Sequence, residues 1–379
     1  MQTELNQFFA ERDACQIPTK SAFCQARKKI KNVFFFDFFK QSYQVFYRHV
    51  TAAKLFKGYH LWACDTTTQK LPDNKETRKL GTHTNQAKTV ASVKIMTYYD
   101  VLNQIIVRAS ISDKRKADLR CVQGSVLDIP TNVISIYDRG FTSLLLPFLH
   151  SHFGSKYVIR ASTTFSKSVV AFMQSNETDI VVNEKLTQKC FWELAKMGIR
   201  KSQHDTVAFR LVKIMLPTGE TEVLMTNLDA VFTIEDLNLI YQNRWGVETS
   251  YNYLKNTLML GTFSGYSQKA IVQDIYCALI AFNLQTIIQY DCLPALEKIN
   301  TKRKKSYKIN RNISAGTVRD YIKKILLNQA QNWVSKLQKA QKIILKSLEK
   351  VKETFKERER KLLRCNDRHH TEYNYKRGF

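Results

Sequence analysis

Several absences narrow this 379-residue sequence before any motif does. Its eight cysteines are scattered from Cys15 to Cys365 with no C-x-x-C pair among them. Half of a conventional zinc site is therefore missing, and the thiols read as reduced and mostly buried. No apolar run reaches a membrane-spanning length, since even "IVQDIYCALIAFNLQTII" is broken by Asp274 and Asn283. No signal peptide opens the chain, so neither membrane insertion nor secretion is expected. Repeats of fixed period and low-complexity tracts are also missing, apart from short basic runs. Acidic charge is scarce, with 33 Asp and Glu against 59 Lys and Arg.

That imbalance leaves a formal charge of +26 and a pI near 9.7. Both exceed what solubility asks for and favour a polyanionic partner, nucleic acid ahead of an anionic membrane surface. At 44% hydrophobic, the chain can bury a sizeable core and has room for two or three domains. "CNDRHH" near the end offers Cys365, His369 and His370, but in a basic tail these read as incidental rather than as a metal site.

Residues 1–55 read as two helices, "ELNQFFAERDAC" and "SAFCQARKKIKNVFFFDFFKQSYQVF", joined by a turn around Pro18. Arg27, Lys28, Lys29 and Lys31 make the second one basic. Such a cluster suits DNA and equally suits a solvated surface. Then the texture changes. The apolar run Leu61 to Cys64 delivers Asp65, "TVASVKIMTYYDVLNQIIVRASIS" reads as a hairpin, a polar helical segment follows, and "NVISIYDRGF" ends a second apolar run in Asp138. A helix closed by Gly154 and the strand "KYVIRAS" complete the order β, β, β, α, β, α, β. Residues 163–231 break this rhythm with short β-prone runs and read as an inserted β-rich subdomain. Beyond residue 300, "TKRKKSYKINR" reads as a basic linker and 334–363 as a long amphipathic or coiled helix. A cut near residue 300 would then cost DNA affinity or association and leave the core folded.

One further helix carries an unusual set. In "IYQNRWGVETSYNYLK", Tyr241, Arg244, Glu248 and Lys255 stand at offsets 0, 3, 7 and 14, within an arc of about 60° on a continuous helix. Ile240, Val247, Tyr251, Leu254 and Leu258 form an apolar stripe beside them, and Thr233 with Asp236 makes a capping pattern upstream. Alone, Arg244 and Glu248 read as an i,i+4 ion pair and Lys255 as a solvated charge. Gly246 permits a close backbone approach, and Trp245 either packs on the core, the favoured reading, or stacks on a base. Asp65, Asp138 and Glu248 together change the reading, because Mg²⁺ takes oxygen ligands and is commonly held by one or two carboxylates plus phosphate and water. Two such ions suit in-line displacement at phosphorus, and the basic surface would recruit the polyanion.

Y-x-x-R-x-x-x-E-x-x-x-x-x-x-K at Tyr241, Arg244, Glu248 and Lys255 resembles the signature of DDE transposases in the fourth insertion-sequence family of bacteria. "DRGF" from Asp138 is similar to that family's block around its second aspartate. "MTNL" leading into "YQNRW" is similar to its approach to the glutamate. The first block, "DTTT", departs mildly from relatives with Asp, a small residue, then Thr. The resemblance covers about residues 20–290 and is strongest over 224–265. It implies an α/β fold with a ribonuclease H-like catalytic core (56–162 and 232–300), the β-rich insertion between the second aspartate and the glutamate, and helical regions at 1–55 and 301–379. It implies Asp65, Asp138 and Glu248 as catalytic metal ligands for two Mg²⁺ ions, with Mn²⁺ able to substitute. Tyr241, Arg244 and Lys255 become contacts to transposon-end DNA. The implied partners are double-stranded DNA, as transposon ends and target, and a second copy in a synaptic homodimer, with no membrane, on the nucleoid of a bacterial cytoplasm. Two other readings stay open: a non-catalytic DNA-binding relative acting as an inhibitor, and a metal-dependent DNA nuclease on the same core.

Overall fold

The computed structural model describes residues 2–10, 17–50, 53–85, 88–199, 206–216, 219–327 and 332–351. Helices α1 (Gln2–Ala10), α2 (Lys20–Lys29) and α3 (Asn32–His49) come first. They are followed by β1 (His60–Lys70), α4 (Lys75–Arg78), β2 (Thr82–Asn85), β3 (Lys88–Asp100), β4 (Ile105–Asp113), α5 (Asp118–Val126) and β5 (Val133–Tyr137). A 3₁₀ turn over Arg139–Phe141 leads to α6 (Leu145–His152), β6 (Lys156–Arg160), α7 (Lys167–Gln174), β7 (Asp179–Lys185), α8 (Gln188–Lys196), β8 (Thr206–Met215) and β9 (Thr221–Thr226). The rest is helical apart from two short strands: α9 (Ile234–Gln242), α10 (Trp245–Asn256), α11 (Gln268–Asp291), α12 (Leu293–Thr301), β10 (Tyr307–Ile309), α13 (Arg311–Leu327), α14 (Trp333–Lys346) and β11 (Leu348–Lys350). The chain forms two compact units, one of Met1–Arg48, Lys70–Thr77 and Tyr253–Phe379, the other of His49–Gln69 and Arg78–Asn252.

The second unit is built on one mixed sheet in the order β2-β3-β1-β5-β6-β9-β8-β7, with β4 also paired to β3. "VISIY" of β5 is buried at every position, as expected of a parallel strand covered on both faces. The expected strand and helix order appears from β1 to β6, with α4 and β2 added. Residues 163–231 contribute β7, β8 and β9, and also α7 and α8. Their strands continue the same sheet, because β9 runs antiparallel to β6 with Val158 opposite Thr226. The β3–β4 hairpin is as expected from its β-branched runs. Asp100 organises its turn by accepting from the Leu102 and Asn103 amides at 3.1 and 3.0 Å.

Gly81 shows how tightly that hairpin is closed. A Cβ there would lie 2.6 Å from the Ser92 carbonyl oxygen and 2.8 Å from Asp113 Cα, both backbone atoms. Gly81→Ala is expected to destabilise the fold by about 1–3 kcal/mol or more, since overpacking against backbone is relieved only by moving strands. Urea denaturation checks this, and an unchanged midpoint would show that the β2–β3 edge yields freely.

In the first unit the second expected helix is two. Its Ile30 takes an extended conformation, and the carbonyls freed at the end of α2 are captured from α11, Ile30 by Gln273 Nε2 at 3.1 Å and Lys28 by Lys269 Nζ. Helix α11 is long and apolar enough to cross a membrane by length and composition, yet most of it is buried in protein. Two of its buried polar groups have protein partners inside the fold: Asp274 pairs with Arg27 at 2.9 Å, and Asn283 donates to Ser42 at 2.9 Å. These contacts identify it as a core helix. Residues 307–350 also depart from expectation. A buried cluster of Ile288, Cys292, Leu296, Ile309, Val318 and Ile344 packs this segment against α11 and α12. The long helix expected over 334–363 is α14 followed by β11, which pairs antiparallel with β10. The rest of that stretch, with Cys365, His369 and His370, lies outside the described residues. Of the six described cysteines, Cys64, Cys121, Cys190 and Cys292 are buried, Cys24 is half-buried and Cys277 is exposed, and none of the six is in a disulfide.

Candidate active site

Strand register brings two of the sequence-predicted carboxylates side by side. β1 and β5 are parallel, with His60 opposite Val133 through to Cys64 opposite Tyr137. Asp65 on β1 and Asp138, the residue just after β5, come next, on neighbouring strands about 4.8 Å apart. β6 continues the row: Tyr137 pairs with Ile159, so Arg160 follows at the level of Asp138. Asp65, Asp138 and Arg160 therefore form one line of charge past the paired ends of three parallel strands. The sequence reads as a strand that ends in Asp65, but β1 continues past it to Lys70. What ends at Cys64 is the pairing with β5.

Each aspartate has a local hydrogen bond. Asp65 Oδ1 accepts from the Thr66 amide at 2.8 Å, and Asp138 accepts from Gly140 N as N-cap of the 3₁₀ turn. Neighbouring Thr66 donates to Asp118 at 2.8 Å, and Lys94 pairs with that Asp118 carboxylate.

Glu248 arrives on α10. Tyr251, one turn further along, donates its hydroxyl to the Asp65 carbonyl at 2.8 Å and accepts from Thr97 Oγ1 at 2.8 Å. This fixes α10 against β1 at the position of Asp65. Gly246 allows the approach, since a Cβ there would meet Val101 Cγ1 at 3.3 Å and Tyr99 Cε1 at 3.4 Å. The helix expected to carry all four signature residues is broken: Arg244, Gly246 and Val247 donate to the carbonyls of Tyr241, Asn243 and Arg244, an i→i−3 pattern that tightens the chain between α9 and α10. Tyr241 consequently lies on α9 and Glu248 on α10. Thr233 and Asp236 form the expected capping box. Ile240, Val247, Tyr251 and Leu254 are buried as expected, with Leu258 half-buried. Trp245 is not: it is 59% exposed, with the Arg244 guanidinium 5.4 Å from its ring centre. Lys255 is half-buried in the last turn of α10, in the other unit.

Arg244 donates to Glu248 Oε1 at 2.8 Å, so the simple i,i+4 pair predicted from spacing exists. Its setting is not that of a surface pair. The Arg244 side chain is only 5% exposed, and its Nε and Nη1, like the Tyr241 hydroxyl, are buried without a hydrogen-bond partner. Burial raises the Tyr241 hydroxyl above its ordinary range. On β9, Glu222 pairs with Arg160 at 2.5 Å, and burial raises its carboxyl against the opposing fields of Arg160, Arg244 and Arg139. Arg139, Arg160 and Glu222 were not anticipated from sequence. A signal existed for Arg160, which closes "KYVIR" as Asp138 follows "VISIY".

Asp65 feels the other two carboxylates. The Asp65 carboxyl is pushed up to about 6, mainly by burial and further by Asp138 and Glu248, while Thr66 N and Arg244 act in the opposite sense. Among the described residues, no three Asp, Glu, His or Cys side chains form a ready-made metal cage. The donor set still fits Mg²⁺, a hard cation commonly held by only one or two carboxylates: Asp65 and Asp138 are adjacent, and Glu248 spends one oxygen on Arg244.

Residues 57–284 match the family described as transposase DDE domain. No curated protein matches the chain. Several solved structures do. One is the cryo-EM structure of piggyBac transposase in a synaptic complex with hairpin DNA, at 11% identity and a TM-score of 0.44 over 86% of this chain and 65% of that one. The present chain thus spans less than two thirds of that protein's length.

Proposed function

The chain belongs to the transposase DDE domain family, and from that premise we propose that it cuts DNA at transposon ends and joins the freed 3′-hydroxyl to target DNA. The observation that carries this reading is the row of Asp65 and Asp138 across two parallel strands, with the helix of Glu248 tied to the Asp65 carbonyl through Tyr251. The strand and helix order from β1 to β6 supports a ribonuclease H-like core. The spacing of Tyr241, Arg244, Glu248 and Lys255 supports membership of the fourth insertion-sequence family.

Asp65, Asp138 and Glu248 would hold two Mg²⁺ ions, or Mn²⁺ in their place. Bound there, such ions supply Lewis acidity to the attacking and leaving oxygens of a phosphodiester. The residues themselves do the positioning. With its carboxyl pushed up only to about 6, Asp65 is still largely ionised at pH 7 and available as a ligand. Arg244 orients Glu248 through their hydrogen bond. The unpartnered Nε and Nη1 of Arg244 and the Tyr241 hydroxyl offer hydrogen-bonding capacity of the kind a phosphate oxygen accepts or shares. With Lys255, they are the proposed contacts to transposon-end DNA. The partners are duplex DNA, as ends and as target, and a second copy in a synaptic homodimer, acting on the bacterial nucleoid.

The test is incubation of a duplex ending in a free 3′-hydroxyl with supercoiled plasmid, with Mg²⁺ or with chelator. Metal-dependent joined product is expected. Cleavage without joining would indicate a nuclease, and DNA binding without either would indicate a non-catalytic relative.

A further inference from the structure

Helix α3 leaves an apolar stripe uncovered. Phe39, Ser42 and Phe46 are buried and pack the helix onto α11, with Phe39 6.0 Å from Tyr276 and Phe46 5.1 Å from Tyr290 between ring centres. On another face, Phe34, Phe38 and Val45 stand at helical spacing, within an arc of about 40°, yet all are exposed, Phe34 at 55% and Phe38 at 44%. The rings of Phe34 and Phe38 lie 6.3 Å apart. Exposed Val33, Ile30 and Phe23 surround the start of the stripe. Single exposed apolar residues need no explanation, but aromatic residues grouped in this way do.

Charge says what covers this face. Residues 17–50 contain seven Lys and Arg and one acidic residue, Asp37. Arg27 is spent inside the fold on Asp274, Gln273, Ser264 and the Ala270 carbonyl, which removes it from the basic cluster read from sequence. Lys28, Lys29, Lys31 and Lys40 are exposed. Pairing two copies through the stripe would bring these like charges together, whereas phosphates would neutralise them. Lys28, Lys29 and Lys31 gather where the stripe begins, whereas Lys40 lies on the far face of α3; exposed aromatics next to a lysine cluster are the elements of a base-stacking platform with phosphate contacts beside it.

We propose that the Phe34–Phe38 face of α3 is a DNA-binding surface, on which the two rings stack against unpaired or opened bases while Lys28, Lys29 and Lys31, at the start of the stripe, contact phosphates. This rests on the reading of the chain as a DNA transposase and adds a base-contacting surface outside the carboxylate site. Because stacking is sequence-tolerant, the surface would grip any end that exposes bases.

The test measures affinity of the full-length protein, in chelator, for a duplex with a single-stranded overhang and for its blunt counterpart. Phe34→Ala with Phe38→Ala is expected to weaken overhang binding at least about tenfold, with a smaller loss on blunt duplex and an unchanged salt slope. Phe34→Tyr with Phe38→Tyr should restore it. Lys31→Gln should instead lower the magnitude of the log affinity versus log salt slope by about 1. Thermal melting confirms that the variants are folded. Failure of the wild-type protein to bind any DNA would defeat the transposase reading itself. Normal binding by the double alanine variant would overturn only this inference. A shift of the DNA-free protein from dimer to monomer in that variant, or loss of pelleting with phosphatidylserine vesicles, with DNA affinity kept, would reassign the face to a second copy or to lipid.

Discussion

Asp138→Asn is expected to reduce strand cleavage by about a thousandfold or more, because several kcal/mol of transition-state charge stabilisation depart with a bound metal ion. Asp65→Asn and Glu248→Gln should do the same. On the proposed role each change would remove a ligand charge and little shape, so affinity for end DNA in chelator should stay within about twofold of wild type. Cleavage in Mg²⁺ beside a gel-shift in chelator reads both quantities. Near-normal cleavage by any one variant would take that residue out of the site. The Asp65 variant carries a second signature. In the folded protein its carboxyl titrates near 6, above the ordinary 3.8, so the folded state holds the proton more tightly than the unfolded chain. Stability from this group is therefore intact below about pH 4, falls as pH rises, and is fully penalised above about pH 6. Asparagine cannot ionise. Asp65→Asn should thus gain about 1–3 kcal/mol in chelator at pH 7.5 and well under about 1 kcal/mol at pH 4. Equal effects at both pH values would show that the gain is not electrostatic.

The candidate carboxylates were readable in the sequence because each follows or closes an element with a clear period. Apolar runs before Asp65 and Asp138 give strands, and the stripe Ile240, Val247, Tyr251 gives the buried side of the helical segment. The relation between the aspartates was not readable: it depends on the pairing of Cys64 with Tyr137, a register set across 73 positions by the whole sheet. The break between Tyr241 and Glu248 was hidden for another reason. Periodicity survives a 3₁₀ step almost unchanged, so Arg244 and Gly246 gave no sign that the hydrogen bonds there run to i−3. Trp245 was misjudged because angular position alone cannot tell a core neighbour from the Arg244 guanidinium beneath its ring. Arg160 and Glu222 are long-range partners from strands β6 and β9, and neither forms a motif on its own strand.

The C-terminal segment shows the same limit at larger scale, and truncating the chain after Lys302 is expected to disrupt the unit built on α11. Lysine-rich composition made 301–379 look like a detachable tail, since charge excess is visible in a sequence and long-range packing is not. In the structure, Ile309, Val318 and Ile344 cover Ile288, Cys292 and Leu296, and the Arg311 carbonyl accepts from Tyr253 and Gln285 at 2.9 Å each. Each aliphatic side chain fully buried there contributes about 1.5–3 kcal/mol, so losing the segment removes an amount comparable with a typical net stability of about 5–15 kcal/mol. A milder pair of variants separates packing from charge. Ile344 is 1% exposed and its neighbour Ile343 is 39% exposed. Ile344→Ala should cost about 2–5 kcal/mol, and Ile343→Ala much less. Neither alters the charge, so salt dependence of DNA binding should be unaffected in both. Chemical denaturation of the two alanine variants, with thermal melting of the truncated chain, decides the matter. A truncated protein that still melts cooperatively at the wild-type temperature, together with equal costs at 343 and 344, would restore the separable basic tail.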